Sequence, residues 1–249
     1  MPKGSRISRS LSGQSYGIVR AYVHCSPAAC YTSDMSTARE IYDTYQVPPW
    51  LQEHQVRVAA VGKIIAEAYV KPIDTSLVVT TCLLHDVGAI VKFDFRETLL
   101  ADLVNPGDVS HWERVQAQMR EHYGVGEYGA TDAILIELGA EREREVFKQT
   151  GLTRLGDTLR EGTYEARVVQ YADTRVGPRG VMSVEERMKD ARVRYAGKGL
   201  KWFERLDEYH MLNLDLEKMV LADTTIDSGS ITDATIAPVM EQLWDYEIA

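Results

Sequence analysis

His85 and Asp86 sit side by side at the end of a nearly uncharged apolar run that begins at Leu77 and closes at Gly88. A buried imidazole and a buried carboxylate carry a desolvation cost that a cation relieves. Two other residues face the same difficulty. His54 shares one face with Val58, Val61 and Ile65 in a helix predicted from about Trp50 to Tyr69. Asp173 follows Tyr171 and Ala172 late in another mostly apolar segment, on a face with Ala166, Val169 and Gln170. Two imidazoles and two carboxylates around one cation make a mixed nitrogen and oxygen set. Such a set suits Mn, Fe, Co or Ni, admits Mg, and leaves positions for water and substrate. Singly, each residue has a simpler reading as a helix-end polar pair, a satisfied core histidine or a cap. The joint pattern favours one divalent metal ion held by His54, His85, Asp86 and Asp173.

The elements that must position these groups read as helical. Pro48-Pro49 opens the His54 helix at its first turn, and Pro72 ends it. Asp74 or Thr75 caps the run that leads to His85, and Gly88 is its expected stop. Before these, Ser36 caps a short helix to about Tyr45. After them come a helix near Arg96–Val104, the turn Asn105–Asp108, and a helix near Ser110–Tyr123. A loop over Gly124–Gly129 precedes helices at Ala130–Gly139 and from Glu141. The Asp173 helix spans about Thr163–Val176, and Gly177–Gly180 is a turn. Ser183-Val-Glu-Glu is close to a capping box and starts a helix to about Ala196. Helices near Gly199–Ala222 and Asp233–Tyr246 close the chain. No strand pair with a tight turn stands out, and no repeat is present. The expectation is a single all-α domain over residues 35–249, preceded by a poorly ordered extension over residues 1–34. That extension carries Lys3, Arg6, Arg9 and Arg20 and no acid before Asp34. It reads as an upstream extension in preference to a targeting peptide, because no amphipathic Arg face emerges.

The 249 residues carry a net charge of −9, which argues against broad binding to nucleic acid polymers but not against a local phosphate pocket. No apolar stretch approaches the roughly 20 residues that span a bilayer, so no membrane partner is expected. Cys25, Cys30 and Cys82 form neither a CxxC pair nor an even framework. A reducing, cytoplasmic setting fits best. Homo-oligomerisation is left open.

The order His54, then His85-Asp86, then Asp173 resembles the H…HD…D pattern of the HD-domain superfamily of metal-dependent phosphohydrolases. The helical context matches, and the resemblance covers roughly Met35 to Tyr195. It implies a compact helical HD-domain bundle and hydrolysis of a phosphate ester on a small metabolite, commonly a nucleotide. Members often carry Lys three residues after the motif Asp, where this chain has Ala89; others place Glu there. Binuclear members add two further His, for which this chain offers only His111 and His122. The resemblance therefore implies one metal over two, and a phosphohydrolase over a di-iron oxygenase. The departure at Ala89 keeps a non-catalytic metal- or nucleotide-binding domain as an alternative.

On this reading a small phosphorylated substrate needs basic groups beside the metal. Lys92 lies just beyond the motif, and Arg175 and Arg179 follow Asp173 closely, so these three are the expected phosphate-binding residues. Asp86, Lys92 and Asp94 are the expected catalytic residues, with Asp94 the preferred general base over Glu53, which faces elsewhere on its helix. Arg187, Arg192 and Arg194 read as a solvated helix face.

Overall fold

The computed structural model describes residues 36–95 and 103–248. The expected extension and nearly all of the helix expected near residues 96–104 lie outside them. Among the described residues there are eleven α-helices and four two-residue strands, so the fold is all-α. The helices are α1 (Ala38–Thr44), α2 (Pro49–Glu67), α3 (Thr75–Leu84), α4 (Val109–Tyr123), α5 (Glu127–Glu137), α6 (Glu141–Phe147), α7 (Leu155–Glu161), α8 (Tyr164–Thr174), α9 (Val184–Tyr195), α10 (Leu206–Ala222) and α11 (Asp233–Leu243).

The centre is a layer made by α2, α3 and α8, with α11 against the far side of α2 and α10 against α8. Pro49 starts α2 at the first turn, where its missing N–H costs nothing. The Asp74 carboxylate accepts from the Leu77 N–H and caps α3, as one of the two expected residues. Val78, Val79, Cys82, Leu83 and Leu84 are all at most 1% exposed, so α3 is buried nearly all round. An 18-residue window, Thr75–Lys92, is apolar enough to cross a membrane by composition, but 72% of it is buried inside the protein.

Close approach of α2 and α3 depends on Gly62. A Cβ there would lie 3.0 Å from Cys82 Sγ and 3.2 Å from Val78 Cγ1. Gly88 has a different role from the one expected. Its φ of −93° is not the left-handed helix-stop conformation. Instead, a Cβ would fall 2.6 Å from the Thr131 nitrogen, so only glycine lets the turn after His85-Asp86 press against α5.

Two short strand pairs form where the sequence shows no convincing alternating pattern. Val176–Gly177 pairs with Gly180–Val181 across Pro178-Arg179 (β2 and β3), and Ser36–Thr37 pairs with Glu247–Ile248 (β1 and β4). Two-residue strands are too short to carry an alternating pattern. Thr37, not Ser36, caps α1 in a full capping box with Glu40. The loop expected over Gly124–Gly129 is helical from Glu127 onward.

Candidate metal centre and its cleft

His54 projects from the first third of α2, His85 is the C-cap of α3, Asp86 follows it, and Asp173 stands one residue from the end of α8. The packing of α2, α3 and α8 brings all four to one place. His54 Nε2 lies 3.3 Å from Asp173 Oδ1 and 4.0 Å from Asp86 Oδ2. His85 Nε2 lies 3.6 Å from Asp173 Oδ1 and 3.9 Å from Asp86 Oδ2. The ligating atoms of His54, His85 and Asp173 fall within 4.8 Å of one another. Donors that each sit about 2.1 Å from a shared ion lie about 3–4 Å apart, which is the spacing found.

The imidazole of His85 is set for a cation by its own helix. Its Nδ1 hydrogen-bonds the Cys82 carbonyl at 2.7 Å, one of the carbonyls a helix end leaves without a partner. A carbonyl can only accept, so Nδ1 carries the proton and Nε2 of the neutral ring presents a lone pair. That Nε2 is buried and has no hydrogen-bond partner. It faces the carboxylates of Asp86 and Asp173, and a cation there would take the place of the proton those carboxylates favour on the ring. The donor set and this orphaned nitrogen fit a divalent metal.

Other contacts fix the scaffold. The Tyr42 hydroxyl donates to the Leu83 carbonyl at 2.8 Å, and the Asp86 N–H donates to Gln55 Oε1 at 3.2 Å. Electrostatics agree with a site built for positive charge. Burial alone would lower the His85 imidazole, but Asp86 and Asp173 raise it to about 9. Burial would raise the Asp173 carboxyl, yet His54 and His85 hold it well below the usual carboxylate range. The α3 C-terminus adds its partial negative charge.

A cleft of about 260 Å³ opens over these groups, lined also by Lys92, Glu127, Thr131, Gln170 and Arg187. Lys92 Nζ stands 4.0 Å from Asp86 Oδ2 and pairs with the Glu127 carboxylate. Desolvation would lower the Lys92 ammonium, but Asp86 and Glu127 more than offset it and keep it charged.

The sequence profile of the HD domain matches residues 51–175, half of the chain. This chain is an HD-domain protein. No curated protein and no solved structure matches it. The HD domain thus belongs to a metal-dependent hydrolase-type family, and its His/His/Asp cluster is compatible with a divalent ion.

Not every residue expected in the site reaches it. Arg175 is a correction. It is 3% exposed and absent from the cleft, and its guanidinium donates to Met182 O, Tyr171 Oη, Ser228 O and Ile231 O. Two residues along a helix is about 200°, so a side chain two positions after Asp173 leaves from nearly the opposite side. Arg179 is exposed between β2 and β3, outside the cleft, and Asp94 is exposed and does not line it either. His111 packs its ring on Trp112, and His122 faces Glu137 at 3.5 Å; neither lines the cleft.

Two further residues line the HD-domain cleft: Arg187, which the sequence reads as part of a solvated helix face, and Glu127, which it does not assign to the site. Arg187 comes from α9, beyond the matched segment, and its Nη1 lies 3.6 Å from Asp190. Glu127 opens α5. The capping box of Ser183 with Glu186 fixes where α9 begins, and that start sets which side of the helix Arg187 occupies. Only this cap was a usable signal in the sequence.

Proposed function

We propose that the HD-domain chain hydrolyses a phosphate ester of a small metabolite, of which a nucleotide is the class favoured by family analogy. His54, His85, Asp86 and Asp173 would hold one divalent cation. Such a cation lowers the pKa of a bound water towards neutrality and offsets charge on a phosphoryl oxygen. Lys92 and Arg187 bring two fixed positive charges to the same cleft, where phosphate oxygens would sit. Glu127 pairs with the Lys92 ammonium and orients it. Lys92 thus supplies, from three residues further on, a cation that position 89 does not. The buried, unpartnered Nε2 of His85 facing two carboxylates carries the reading. A screen of phosphorylated metabolites with added Mn, Co or Mg tests it. Phosphate release that depends on the metal and disappears in Asp86→Ala, together with metal retention, is the expected result. Unchanged turnover in Asp86→Ala would overturn the mechanism.

A further inference from the structure

A second cavity, of about 150 Å³, adjoins the first and shares Leu152, Gln170, Asp173 and Arg187 with it. Beyond the shared edge lie Thr174 and Asn213, and five further wall residues, Met188, Ala191, Tyr195, Trp202 and Leu206. All five lie outside the segment matched by the HD profile, on α9, on α10 and on the turn of 3-10 helix, Lys201–Arg205, between them. Among the described residues Asp173 is the one carboxylate lining this second cavity, and it stands at the shared edge.

Two of the polar side chains of this wall, Thr174 and Asn213, are paired. Thr174 Oγ1 donates to Asn213 Oδ1 at 3.0 Å, and Asn213 Nδ2 donates to the Tyr209 carbonyl at 2.8 Å. Gln170 Oε1 accepts from the Gly151 N–H at 2.6 Å, which leaves its amide NH₂ as a donor at the boundary of the two cavities. Met188, Ala191 and Leu206 add apolar surface beside the Tyr195 and Trp202 rings, and a flat ring would cover that surface while its edge meets the few polar atoms. Tyr195 and Trp202 meet edge to face, with ring centroids 5.0 Å apart, and such rings favour a further aromatic ring. The small volume suits a ring and excludes a long acyl chain. Together the two volumes fall in the range of about 300–1,000 Å³ typical of small-molecule sites.

We propose that the two cavities form one bipartite site for a phosphomonoester whose organic part is a flat aromatic or heteroaromatic ring. The phosphate occupies the cleft with Lys92 and Arg187, and the ring occupies the second cavity against Trp202 and Tyr195. The identity of the anionic half rests on the phosphohydrolase reading; the ring-binding half rests on the second cavity alone.

Benzyl phosphate, cyclohexylmethyl phosphate and ethyl phosphate have leaving groups of similar chemistry and differ in the group offered to the second cavity. Metal-loaded protein should show a KM for benzyl phosphate about tenfold below that for ethyl phosphate, with cyclohexylmethyl phosphate between them. Trp202→Ala should bring the ratio towards one. Ala191→Phe, which fills the cavity, should do the same without removing a wall. Calorimetric titration with benzylphosphonate and ethylphosphonate reads binding without turnover. Ring discrimination in the titration that is lost in either variant, with no hydrolysis of any ester, would sustain the subsite and sink the phosphohydrolase reading. Hydrolysis or binding without ring discrimination, or discrimination unaffected by both variants, would overturn the subsite.

Discussion

Replacing Asp173 by Asn separates a metal ligand from a helix-end carboxylate, because volume is nearly kept and only charge and ligand strength change. Asp173 Oδ1 lies 3.3 Å from His54 Nε2 and 3.6 Å from His85 Nε2, so one carboxylate oxygen faces both imidazoles. If the wild-type site is loaded at a free metal concentration of 100 times its Kd, binding adds about 2.7 kcal/mol to stability. For a folded unit of this size that is a rise in Tm of about 5–10 °C on metal addition after chelation. Weakening the metal about 100-fold brings the same concentration to the Kd and leaves about 0.4 kcal/mol, a rise of about 1–2 °C. Differential scanning fluorimetry of both proteins with chelator, then with Mn or Co, measures this. The expected outcome is a metal-dependent shift in wild type that nearly vanishes in Asp173→Asn. An equal shift in both would refute the ligand assignment.

Arg187→Gln should raise KM for a phosphate ester about tenfold or more while leaving Tm within about 2 °C, because Arg187 lines the cleft at the protein surface. Arg175→Gln should do the opposite, costing about 3 kcal/mol of stability by leaving the carbonyls of Met182, Ser228 and Ile231 without donors; denaturant unfolding checks it. Asp74→Ala should cost about 1 kcal/mol at pH 7 through loss of the α3 cap. The Leu77 N–H, then Arg142, hold the Asp74 carboxyl below its usual range. Its contribution is therefore present above the unfolded-state pKa of about 3.9 and lost as pH falls through the lower folded-state value, so the two proteins should converge in stability near pH 2.

The four residues that meet at the candidate metal centre were legible because each is a polar residue in or at the end of an apolar helical stretch, and because their order resembles the HD pattern. Lys92 was legible for its nearness to the motif. Nearness in sequence does not place Arg175 in the site, because a helix turns about 200° in two residues. Arg187 was hidden by its acidic neighbours: only the docking of α9 against α10 turns that side of the helix towards Asp173 and Gln170. Glu127 was hidden because α5 begins three residues before the apolar run that marks it. The turn of the β2–β3 hairpin was legible at Gly177–Gly180, but its two-residue strands are too short to show an alternating pattern.

Anomalous diffraction from a crystal grown with Mn or Co tests the metal centre most directly. One peak is predicted, about 2.0–2.3 Å from His54 Nε2, His85 Nε2 and a carboxylate oxygen each of Asp86 and Asp173. A peak that leaves His85 or Asp173 uncoordinated, or no peak between the four, would contradict the account.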